Sequence, residues 1–79
     1  MSISLDRLEK SRRARVLGLS CADAALEAKL REVGFAEDDE VEVMHFGPLG
    51  GKPICVRLNQ TLIALRRNEA EGIDVEPLP

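Results

Sequence analysis

His45, Cys21 and Cys55 are the side chains in this 79-residue chain best suited to nucleophilic or soft-metal chemistry. Nucleophilic catalysis needs a base within hydrogen-bond reach of the nucleophile, and a third group to orient that base. His45, set among Val43, Met44 and Phe46, reads instead as a half-buried residue of a strand. Cys55 belongs to a neighbouring segment and can approach it. A Cys-His pair without an orienting carboxylate or an oxyanion loop is nevertheless a weak signal, so no catalytic residue is assigned. A closed metal site takes about four Cys, His or carboxylate ligands at finger-like spacing. One His and two Cys in no such pattern predict no resident metal and no cofactor. In a reducing compartment the two cysteines read as free thiols.

The segment Gly47-Pro48-Leu49-Gly50-Gly51-Lys52 invites a phosphate-loop reading. That loop, however, ends in G-K-[ST] and leads into a helix, whereas Pro53 and a β-type run follow here. Two readings remain open: a mobile connection between strands, or an apolar anchor, Leu49, at a Gly-rich tip with Lys52 as its rim charge. Lys10, Arg12, Arg13 and Arg15 form a local basic patch, with Arg57, Arg66 and Arg67 available from other segments. These residues are either a solvated face or a surface for an acidic partner, which the planar fork of arginine suits. The candidate partner-binding residues are therefore Pro48, Leu49, Gly50, Gly51, Lys52, Arg13 and Arg15.

Composition narrows the partner. The net charge is −3, and aromatic residues make up 3% of the chain, with no Trp or Tyr. Neither a global attraction to phosphate nor a base-stacking platform is available, so no nucleic-acid partner is expected. Met1 to Arg15 is interrupted by charges at Asp6, Arg7, Glu9, Lys10, Arg12 and Arg13, which is not a secretory pattern. A cytoplasmic location is expected. Uncharged runs such as Leu58 to Leu65 fall far short of the ~20 apolar residues of a membrane helix.

These residues must be positioned by short elements. Ser4 caps a turn over Leu5-Asp6-Arg7-Leu8. Ala14 and Val16 alternate with Arg13, Arg15 and Leu17 in a first strand ending near Gly18. Ser20 and Asp23 give an S-x-x-[DE] start for a helix carrying Ala22, Leu26, Leu30 and Val33, with Gly34 at its C′ position and Phe35 packing back on Leu30. A polar turn at 37–40 leads to a strand from Val41 to Phe46, and the span 47–53 reads as a loop. Ile54, Val56 and Leu58 share one face of a further strand, which turns at Asn59-Gln60 into Thr61 to Leu65. Asn68 caps one helical turn stopped by Gly72, and Ile73 to Glu76 closes the chain as a strand. The sum is one mainly β domain over residues 1–79, a small barrel of about five strands with an α-helix inserted after the first. Its 25 Leu, Val, Ile, Phe and Met residues make a thin core, compatible with self-association.

In this order of elements the chain resembles the FeoA family, ferrous iron transport protein A. The resemblance spans nearly the whole chain. It rests on Leu30-Arg31-Glu32-Val33-Gly34-Phe35, Pro48-Leu49-Gly50-Gly51-Lys52-Pro53 and Ala64-Leu65-Arg66-Arg67-Asn68-Glu69-Ala70. Ser11, Asp38 and Gln60 stand where that family usually has turn glycines, and Glu37 where it has a proline. The resemblance implies an SH3-like β-barrel and a non-enzymatic accessory role in ferrous iron transport. The implied partner is the cytoplasmic side of a FeoB-type transporter, with contact to a membrane only through it. Docking would use the Pro48 to Pro53 loop and a cleft between the helix and the barrel. The alternative is an SH3-like regulator or nucleic-acid-associated barrel module, which would need Arg12, Arg13 and Arg15 to bind phosphate.

Overall fold

The computed structural model describes residues 2–79, with Gly51 described only as a position in its strand. Its elements run β1 (Ile3–Ser4), a 3₁₀ turn (Leu5–Arg7), β2 (Arg13–Leu19), α1 (Ala24–Val33), β3 (Glu40–Gly47), β4 (Gly51–Leu58), β5 (Thr61–Leu65), α2 (Arg67–Glu71) and β6 (Ile73–Pro77). The six strands form one antiparallel sheet in the order β1-β6-β2-β3-β4-β5. The expected five-stranded barrel is corrected on two points. A sixth strand exists because Ile3 and Ser4 pair with Val75 and Asp74, which places α1 after the second strand. Among the described residues no ladder joins β5 back to β1, so the sheet is curled but not closed by hydrogen bonds.

Alternation explains which face is buried. Ala14 and Val16 of β2, Val41 and Val43 of β3, Ile54, Val56 and Leu58 of β4, and Ile73 and Val75 of β6 all point inward and are buried. Leu65 of β5 joins them, and Leu5, Leu8, Leu30, Phe35 and Ala70 complete the core from outside the strands. Each large aliphatic side chain buried there contributes about 1.5–3 kcal/mol.

The helix ends as its sequence predicts and starts differently. Gly34 adopts φ 123°, and its N–H donates to the Leu30 and Arg31 carbonyls while the Phe35 N–H donates to Leu30 at 3.1 Å. Phe35 is buried, so the stop signal is complete. At the start, Asp23 is the N-cap and accepts from the Ala25 N–H at 2.8 Å. Ser20 instead donates its hydroxyl to Asp74 on β6 at 2.6 Å, and its own N–H goes to the Gly72 carbonyl. The serine ties the strand end down before the helix begins.

Three further expectations are revised. Ser4 sits at the N-cap position of the 3₁₀ turn without capping the backbone; its hydroxyl donates to the Asp6 carboxylate. The span 47–53 is not a long loop. β3 runs through Gly47 and β4 begins at Gly51, leaving Pro48-Leu49-Gly50 as a three-residue turn. Lys52 and Pro53, joined by a cis peptide, are the extra residues where the register shifts between Phe46 and Gly47. Prolines at such a bulge leave the ladder intact. Finally, Arg66 rather than Asn68 holds the N-cap position of α2, with no side-chain cap; the Glu69 carboxylate reaches back to accept from the Arg66 N–H.

The turn positions vindicate two of the three departures from the family's glycines. Ser11 (φ 68°) and Asp38 (φ 73°) do adopt left-handed backbone. In the β4–β5 hairpin that role falls on Asn59 (φ 56°), and Leu58 pairs with Thr61 across a two-residue turn. Asn tolerates this region better than Gln, so Gln60 carries no strain of this kind.

Candidate functional site

The Pro48-Leu49-Gly50 turn projects Leu49 into solvent, where it is 79% exposed. Two features hold the turn in shape. Gly50 supplies φ 66°, and Gly47 passes so close under the bulge that a Cβ there would meet the Lys52 carbonyl oxygen at 2.1 Å. Beside the turn lies an open depression of about 560 Å³ lined by Leu49, Lys52, Pro53, Arg66, Arg67, Asn68 and Glu71. Its lining combines apolar surface with three cations and one carboxylate, Glu71. Among the described residues, Lys52, Arg66 and Arg67 take no part in an ion pair.

Arg66 and Arg67 are parts of this surface that the reading of the loop did not include. β5 returns antiparallel along β4 with Leu65 opposite Ile54, so Arg66 follows directly beside Pro53. The two-residue turn at Asn59-Gln60 contained that signal, since counting back from it pairs residue 54 with residue 65.

Arg13 and Arg15 are not part of the surface. They lie on β2 opposite Glu42 and Glu40, and Glu42 is five residues before Gly47 on β3, roughly 17 Å along a strand. Their charges are also engaged. Arg15 Nη2 donates to Glu76 Oε1 at 2.5 Å, Arg13 Nη1 lies 3.8 Å from Glu40 Oε1, and Arg57 Nη2 donates to Glu42 Oε1 at 2.7 Å. Across the outer face, Glu76, Arg15 and Glu40 form one row, and Arg13, Glu42 and Arg57 the next. The basic patch is half of a neutral cross-strand charge lattice. A second depression, about 600 Å³, is lined by this lattice together with Asp38, Asp39, Asn59 and Gln60. Neither depression is lined by α1, so neither corresponds to the expected cleft between helix and barrel.

The basic groove is seated on a fixed support. Glu69 of α2 is 5% exposed, and its carboxylate accepts from the Arg66 N–H at 2.7 Å and from Lys29 Nζ of α1 at 2.7 Å. Burial alone would raise the Glu69 carboxyl. The Lys29 and Arg66 hydrogen bonds and the positive charges of both residues reverse this and hold it below the usual carboxylate range. Gly72 ends α2 against Cys21, where a Cβ would meet the sulfur at 2.6 Å. Burial, then Glu27, Asp23 and Asp74, push the Cys21 thiol up, with Arg31 opposing.

The other candidate chemistry lies outside this groove. Cys21 and Cys55 are free thiols. His45, expected half-buried, is exposed, because a bulge in β3 turns it to the outer face opposite Cys55. Among the described residues no three His, Cys, Asp or Glu side chains gather as a metal set, and no helix is long and apolar enough to cross a membrane.

Comparison with known proteins gives the family. The FeoA domain model matches residues 3–77. FeoA of Stenotrophomonas maltophilia, solved in complex with zinc and described as an SH3 domain protein, is 34% identical; the match covers 94% of this chain and 89% of that one, with a TM-score of 0.84. FeoA of Chlorobium tepidum is 38% identical over 98% of this chain and 71% of its own, with a TM-score of 0.85. A manganese-dependent transcriptional repressor, in complex with manganese, shares the fold at 20% identity and a TM-score of 0.87, over 98% of this chain and 37% of its own. No curated protein matches the sequence. The fold is SH3-like, and the chain belongs to the FeoA family, which is associated with ferrous iron transport.

Proposed function

We propose that this protein is a non-enzymatic, cytoplasmic accessory component of ferrous iron uptake that docks onto a FeoB-type transporter. The observation that carries this reading is the Leu49 tip, raised beside an apolar groove whose three cations, Lys52, Arg66 and Arg67, have no partner within the described residues. An exposed leucine beside three cations that outnumber the one carboxylate of the groove, Glu71, suits an acidic protein surface with an apolar socket. The family's association with ferrous iron transport makes the cytoplasmic side of the transporter the natural owner of that surface. A single histidine in the sequence leaves few groups for acid–base chemistry, in keeping with a binding role.

The test is co-purification of the full chain with the transporter. Leu49→Asp and the pair Arg66→Glu, Arg67→Glu should each release it, and undiminished capture by both variants overturns the reading. The likeness in fold to a manganese-dependent repressor supports a second reading, a regulatory SH3-like module. That reading requires retention on DNA or RNA at ~50 mM salt, lost steeply as salt rises.

A further inference from the structure

The β3–β4 ladder joins two side chains that docking leaves unused. Val43 pairs with Val56, but the next pair is His45 with Cys55, so Met44 is an extra residue in β3. Without that bulge, Met44 would oppose Cys55 and His45 would oppose Ile54, which is buried in the core. The bulge re-aims the imidazole. It brings His45, exposed, to the outer face directly across from Cys55, half-buried. The neighbour of Cys55 on the other side is Ala64 of β5, too small to cover the thiol.

We propose that His45 and Cys55 form an open, two-ligand site for a borderline-soft divalent cation of the zinc type. Directly opposed residues hold their Cβ atoms about 4.5–5.5 Å apart. Tetrahedral Zn–S and Zn–N bonds of about 2.3 and 2.0 Å ask for sulfur and nitrogen roughly 3.5 Å apart. Two short side chains leaning toward each other span that difference. On binding, the thiol gives its proton to solvent, and the thiolate sulfur and one imidazole nitrogen each donate an electron pair to the ion, with no change of oxidation state. A thiolate with an imidazole selects zinc-type ions over magnesium or calcium. Arg57, two residues along the same face, does not oppose the cation with a bare charge, because Glu42 holds it at 2.7 Å. With no third ligand in the described residues, water completes the shell, and the ion exchanges readily rather than supporting the fold.

The test uses Co²⁺ as the spectroscopic probe on the full chain. One equivalent should produce a thiolate-to-cobalt charge-transfer band that Zn²⁺ displaces. Cys55→Ser should abolish the band, His45→Gln should weaken Co²⁺ binding at least ~10-fold, and Cys21→Ser should change neither. Zn²⁺ should shift the His45 imidazole resonances in the parent and not in Cys55→Ser, a readout independent of the cobalt band. A band that survives Cys55→Ser, depends equally on Cys21, or is indifferent to His45→Gln overturns the site. Transporter capture does not enter this test, so it stands or falls apart from the docking reading.

Discussion

Lys29 Nζ donates to Glu69 Oε2 at 2.7 Å across 40 residues of chain, a side-chain contact that joins α1 to α2. Lys29 remains largely exposed while Glu69 is almost fully enclosed. The carboxylate therefore depends on Lys29 and on the Arg66 N–H to stay ionised inside the fold.

The pH dependence follows from the lowered Glu69 carboxyl. Its contribution is present above the ordinary unfolded value, about 4.3, and is lost as pH falls through the lower folded value. Glu69→Ala removes the acceptor of the Arg66 N–H and should cost about 1–2 kcal/mol in urea unfolding at pH 7. The gap between parent and variant should narrow below pH 4, and a gap independent of pH counts against the ion pair.

Two glycines should respond oppositely to alanine. At Gly47 a Cβ meets backbone of the Lys52-Pro53 bulge, whereas at Gly18 it meets nothing within 4 Å. Gly47→Ala should lose about 3 kcal/mol of stability, and Gly18→Ala should be neutral or gain up to about 1 kcal/mol. Thermal melts of the two single variants decide the matter.

The left-handed positions Ser11, Asp38 and Asn59 should rank by residue type. Glycine at Ser11 should stabilise by about 0.5–1 kcal/mol, and glycine at Asn59 by less, because Asn accepts this backbone at small cost. Glycine at Gln60 should give no gain, which separates the observed hairpin from one with Gln60 in the strained position.

Docking should separate the two groups of cations. Lys52→Glu should weaken transporter capture about tenfold or more, and Arg15→Ala by no more than about twofold, since Arg15 already spends its charge on Glu76. An Arg15→Ala loss as large as that of Lys52→Glu would move the contact to the outer face of the sheet.

Much of the fold is legible in local pattern. The stop at Gly34-Phe35, the alternation of β2 and the exposed Leu49 follow from glycine's freedom and from strand period. The candidate site is partly legible in the sequence: the Pro48 to Lys52 turn with its exposed Leu49 is, whereas the approach of Arg66 and Arg67 to that turn and the distance of Arg13 and Arg15 from it are not. Charge type is visible in a sequence, but whether a charge is already satisfied depends on which strand lies beside it. Glu76 meets Arg15 only because β6 inserts between β1 and β2.

The sequence by itself determined the mainly β class of fold, the helix and its end, and the left-handed turns at Ser11 and Asp38, because these depend on neighbours a few residues away. Tertiary structure alone decided the two-residue β1, the exposure of His45 through a one-residue bulge, the neutral lattice around Arg13 and Arg15, and the basic rim of Leu49. Each of those is set by the register between distant strands, and a shift of one residue turns a side chain from core to solvent.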